Sequence, residues 1–163
     1  MNLLEPKTQF RPRATLQVTE VRGGATASST APFSPLEAVR LTLAGLGEAE
    51  LRPVASPKAG LAFQPRALLA VTLYCYLHEI YGSEDIENAL RRDVLFRELC
   101  QQEFPDARLI RRFRRQNRDP LQRALTTALQ LSLPPEFPHA VVVEEARSRI
   151  GTAMFIDSME SAD

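Results

Sequence analysis

From Leu68 to Tyr81 this chain is apolar on nearly every side of a helix. Leu68, Leu69, Val71, Leu73, Tyr74, Tyr76, Leu77, Ile80 and Tyr81 leave no polar stripe to face water. Such a helix has to be wrapped by others, so the stretch predicts a central buried helix in an all-α bundle. Pro65 suits the first helical turn, where its missing N–H costs nothing. Gly82 is placed to end the helix at C′. Tyr74, Tyr76 and Tyr81 read as core, and Cys75 as a small core hydrophobe.

The wrapping helices can be read from their ends. Ser34, Pro35 and Glu37 form a capping-box pattern, followed by Leu36, Val39, Leu43 and Leu46 at helical spacing. Gly45 and Gly47 weaken the end of that helix. Residues 52–60, with Pro53, Pro57 and Gly60, read as a linker. Ser83 is placed to cap a third helix through Ile86 and Leu90. Asp93 is placed to cap a short fourth, with Val94, Leu95, Phe96 and Leu99 facing inward. Asp106 caps a fifth helix running to about Asn117, and Asp119-Pro120 start a sixth through Leu121, Leu125 and Leu129. Pro134, Pro135 and Pro138 end it. Residues 144–156 read as a peripheral helix.

These signals divide the 163 residues into a poorly ordered N-terminal arm (1–33), a helical domain (34–133) and a C-terminal acidic segment (134–163). Within the arm, residues 15–21 alternate like a short strand. No run approaches the length of a membrane span, so no spanning segment and no membrane partner are expected. The N-terminus lacks the pattern of a secretory signal. Two cysteines suit a reducing cytoplasm better than a secreted staple.

Net charge is zero, but it is unevenly distributed. Residues 105–123 hold seven basic side chains, all Arg, against two acidic ones. On a helical wheel Leu109, Ile110 and Phe113 fall within about 100° of each other, and Arg108, Arg111, Arg115 and Arg118 within about 80° on the opposite side. Arg112 and Arg114 flank the stripe. Like charges four residues apart cost roughly 0.2–0.5 kcal/mol per pair unless a counter-anion is present. A face kept for solubility alone would mix signs. The stripe therefore reads either as a solvated face or as a cradle for a polyanion, with the duplex groove as the first candidate. The short helix, tight turn and basic helix together follow a helix-turn-helix layout. No aromatic side chain among the arginines offers a stacking platform for single strands.

Three ordered blocks carry a resemblance. Residues 65–78 are similar to the opening helix of the N-terminal domain of bacterial insertion-sequence transposases of the DDE class, and residues 83–100 to its middle. Pro105-Asp106 followed by Ile110, Arg112, Phe113, Arg114 and Arg115 resembles that family's Pro-Asp…Ile-x-Arg-Phe-Arg-Arg signature. The resemblance covers about residues 64–125. It implies an all-helical module that sets a transposase on double-stranded DNA, with Arg108, Arg111, Arg112, Arg114, Arg115 and Arg118 on phosphates. Small hydroxyl residues that the family places near the start of the basic helix are replaced here by Ala107 and Arg108. In full-length relatives a ribonuclease-H-like domain follows, with three acidic residues that hold Mg²⁺. Only about forty residues follow the basic segment here. The expectation is thus a truncated or split transposase that binds DNA in the nucleoid without catalytic residues, metal or cofactor of its own. The alternative is a regulator that pairs with a transposase catalytic subunit or with itself.

Asp157, Glu160 and Asp163 read as a frayed acidic tail. Two other readings stay open. One is a leftover catalytic ligand; in the other these groups, with Glu144 and Glu145, fold back on the arginines and screen them. His78 and His139 stand apart from each other and from any metal-spaced cysteine pair.

Overall fold

In the computed structural model residues 32–55, 63–101 and 104–161 are described, and among them the chain forms seven α-helices and one turn of 3₁₀ helix. The candidate strand at 15–21 and nearly all of the N-terminal arm lie outside the described residues. Helix α1 (Pro35–Ala44) opens as expected: Ser34 and Glu37 exchange both capping-box hydrogen bonds, and Gly45 caps the far end. A 3₁₀ turn (Glu48–Glu50) follows, and Leu51 and Val54 then dip into the core.

Helix α2 (Pro65–Leu77) is the buried centre, with nine of its residues inside. It ends four residues earlier than the apolar run does. Glu79 takes the left-handed conformation (φ 60°). The amide of Ile80 then reaches back to the Cys75 carbonyl at 2.9 Å, and that of Glu79 to Tyr76 at 3.2 Å. This is a Schellman stop with glutamate where glycine is usual. Gly82 is therefore not the C′ residue of α2; it is the N-cap of α3 (Ser83–Arg92). A Cβ there would lie 2.8 Å from Asp85 Oδ2 and 3.0 Å from Glu160 Oε1. Ser83 is correspondingly the first helical residue rather than the cap.

Helix α4 (Val94–Leu99) is capped by Asp93, whose carboxylate accepts from the Leu95 amide at 2.8 Å. Phe96 is buried, but Val94, expected inside, is 57% exposed. Helix α5 (Ala107–Gln116) is capped by Asp106. Helix α6 (Arg118–Ser132) begins two residues earlier than the expected start at Pro120, so Asn117, not Asp119, occupies its cap position. Leu121, Leu125 and Leu129 are buried as their spacing predicts. Helix α7 (His139–Glu160) is the longest. It is an outer helix, yet Val142, Ala146, Ile150 and Ala153 join the common core.

α6 lies between α1 and α7, and α2 packs against α1, α4, α5 and α6. α5 rests on α3, α2 and α6, while α4 rests on α3 and α2. α4 and α5 thus share α3 and α2 as supports. Two arginines tie helix ends together: Arg66 donates to the carbonyls of Leu43 and Leu46, and Arg149 Nη1 donates to the Tyr76 carbonyl at 2.6 Å. Among the described residues no helix is long and apolar enough to cross a membrane.

Candidate functional site

The apolar underside of α5 is where the wheel puts it: Leu109, Ile110 and Phe113 are buried. The six arginines expected on phosphates divide into two sets. Arg114 sits on the wheel only about 40° from Ile110, and in the fold it is drawn inside, 1% exposed. Its Nη1 donates to the Tyr76 hydroxyl at 2.9 Å and to the Tyr81 carbonyl at 2.6 Å, and its Nη2 donates to Asp157. Its guanidinium carbon also lies 5.9 Å from the centroid of the Tyr76 ring. Burial pushes the Tyr76 hydroxyl up to about 12, an effect that the neighbouring guanidinium only partly offsets.

Arg111 was expected in the middle of the outward stripe. It is instead 15% exposed by side chain and faces α3 and α7. Its Nε donates to Ser83 Oγ at 2.7 Å, and its Nη2 lies 3.3 Å from Glu84 and 3.4 Å from Glu160. Asp157 stands 3.8 Å from the same Nε and also accepts the Ser83 amide at 3.2 Å. The physical reason for both corrections is α7. Asp157, Glu160 and Ser161, spaced i, i+3, i+4 on its last turn, present one acidic and hydroxylic face to α5. Arg114 is thereby buried and Arg111 half-buried, each against carboxylates of α7 rather than facing outward. Of the acidic groups read as a screen, Asp157 and Glu160 do meet these arginines. Glu144 and Glu145 pair instead with Arg147 and Arg149 on their own helix.

The remaining four stay at the surface. Arg108, Arg115 and Arg118 are exposed and have no carboxylate partner among the described residues. Arg112 is half-buried, and its Nη1 donates to the Ala55 carbonyl at 2.9 Å. Arg108, Arg115 and Arg112 span about 60° of the α5 wheel, and Arg118 starts α6 beside them.

Three residues that sequence reasoning passed over shape this surface. Asn117, wholly buried, accepts the Arg52 amide at 2.7 Å and donates to the Arg52 carbonyl at 3.1 Å. That pair of bonds spans 65 positions and brings Arg52 to the α5–α6 junction. No local pattern announces it. Arg123, on α6, adds a further guanidinium, 3.4 Å from Glu50. Among the described residues no group of three or more His, Cys, Asp or Glu side chains is gathered to hold a metal ion.

The family described as Transposase domain (DUF772) matches residues 34–116, about half of the chain. The match begins at the capping box of α1 and ends with α5. No curated relative and no solved structure matches the chain.

Proposed function

This chain belongs to the transposase domain family (DUF772), and we propose that its helical domain binds double-stranded DNA, the nucleoid's polymer, through the open cationic arc of α5. One observation carries the reading: Arg108, Arg115 and Arg118 are exposed and have no carboxylate partner among the described residues, although acidic side chains engage their neighbours. Arg108 and Arg112 stay an unrelieved like-charge pair at i, i+4, which a phosphate would relieve. The reading assigns the described residues DNA engagement and no strand cleavage. Asp157 and Glu160, the acidic groups that α7 turns toward α5, are committed to Arg114 and Arg111.

Four phosphate contacts, from Arg108, Arg112, Arg115 and Arg118, contribute about −3.6 to the log–log salt slope of duplex binding. Fluorescence anisotropy with a labelled duplex across a salt series measures it. Arg108→Ala with Arg115→Ala is expected to make the slope shallower by about 1.8. Undiminished affinity in that double variant would defeat the reading.

A second reading rests on α7, where Phe155 and Met159 are 62% and 60% exposed one turn apart. Exposed apolar pairs of this kind serve contacts between chains. Here they would pair the protein with itself or with a transposase catalytic subunit. A molar mass that falls to the monomer when both become Ser would support self-association.

A further inference from the structure

The segment that follows α1 crosses the junction of α5 and α6 and leaves an open hollow of about 340 Å³ there. Arg52, Arg115, Arg118 and Arg123 line it, against two carboxylates, Glu50 and Asp119. Arg52 is held in place by its backbone, through the two bonds to Asn117, so its exposed side chain is free to turn into the hollow.

The N-terminus of α6 opens at the same place. Asn117 stands at its cap position but makes no side-chain cap bond, because its side chain is engaged by Arg52 and by the Phe113 carbonyl. The first turn of α6 therefore has no side-chain acceptor from its cap, but α5 ends at the same residue and the two helix dipoles offset each other there. The attraction for an anion comes from the four guanidinium groups. The Glu50–Arg123 pair, exposed on both sides at 3.4 Å, is of the weak surface kind that a phosphate displaces.

We infer that this hollow is a phosphodiester-binding site for duplex DNA in which Arg52 and Arg123 join Arg115 and Arg118. It rests on the proposed DNA-binding reading and extends it: the contact surface runs off α5 across the junction, onto the 51–55 segment and α6. Arg115 belongs to both the α5 arc and the hollow, so one duplex can engage the two together.

The test uses the full chain, a labelled duplex and salt from 50 to 200 mM. Arg52→Ala with Arg123→Ala is expected to lower the salt slope by about 1.8 and to weaken binding at least about tenfold at 0.1 M salt. The unfolding midpoint should not move, because both side chains are exposed. Glu50→Gln removes a competing carboxylate and is expected to tighten binding severalfold. Wild-type affinity in the Arg52/Arg123 variant, with weakened binding in Arg108→Ala, overturns the hollow and leaves the α5 reading standing. No salt-dependent duplex binding by the wild-type chain sinks the reading itself. Full competition by millimolar inorganic phosphate, or stronger binding to single-stranded RNA, would also overturn the duplex assignment.

Discussion

Asp157, near the end of α7, closes over Arg114 of α5, a residue that the chain buries to 1% exposure. The two stand 43 residues apart in sequence. The family match ends at residue 116, yet the carboxylate that neutralises one of its last arginines comes from well outside it. The buried charge of α5 is therefore neutralised only with α7 in place.

A buried charge with its partner removed is among the most costly defects a fold can carry. Asp157→Ala is expected to destabilise the protein by about 3–5 kcal/mol in urea unfolding. Arg114→Met with Asp157→Leu, which removes both charges and keeps volume, should cost far less. If Asp157→Ala unfolds with the wild-type midpoint, the pair is not closed in solution.

Elements whose ends are written locally were legible in the sequence. The Ser34–Glu37 box, the Asp93 and Asp106 caps and the α2 core are set by contacts within a turn or by a helix's own apolar content. The errors came where distant segments decide. Nothing near Gly82 shows that Glu79 stops α2, since that stop is made by backbone bonds to Cys75 and Tyr76. The wheel ranks Arg111 as outward because it describes α5 alone; α3 and α7 arrive on that side and reverse it. Arg52 was invisible because its placement is a pair of backbone hydrogen bonds to one buried asparagine. The spacing of Asp157, Glu160 and Ser161 was the one signal that could have shown α7 facing α5.

Glu79 offers a change of opposite sign. Its φ of 60° is a left-handed conformation that costs a residue with a Cβ roughly 1 kcal/mol, and its side chain is exposed. Glu79→Gly removes that cost and is expected to raise stability by up to about 1 kcal/mol, less the added entropy of the unfolded chain. Thermal unfolding would show it, and a lowered midpoint would mean that the Schellman stop is not what ends α2.

Alkaline pH should loosen the core. Burial raises the Cys75 thiol well above its ordinary 9.0 and the Tyr76 hydroxyl from 10.0 to about 12. In the unfolded chain both groups lose their protons at the ordinary values, while the folded chain still holds them. The unfolded state then binds fewer protons, so stability is full below pH 9 and falls as pH climbs toward 12. The slope is roughly 1 kcal/mol per pH unit for each group. Cys75→Ala with Tyr76→Phe should flatten that decline while lowering stability at pH 7, since Arg114 loses an acceptor. Denaturant titrations at pH 8, 9.5 and 11 read both effects.

Asn117 joins three backbone groups: the Arg52 amide, the Arg52 carbonyl and the Phe113 carbonyl. Removing its side chain strands them at a wholly buried position, at a cost of about 1–3 kcal/mol. Asn117→Asp is the sharper probe. Its carboxylate can still accept from the Arg52 amide but cannot donate to either carbonyl, so it should be nearly as destabilising as Asn117→Ala. The consequence is also local. With the clamp gone, the 51–55 segment is freed from the α5–α6 junction, and hydrogen exchange at the Arg52 amide should accelerate more than exchange in the core of α2. Equal acceleration at both places would mean that the clamp supports the whole bundle rather than placing Arg52.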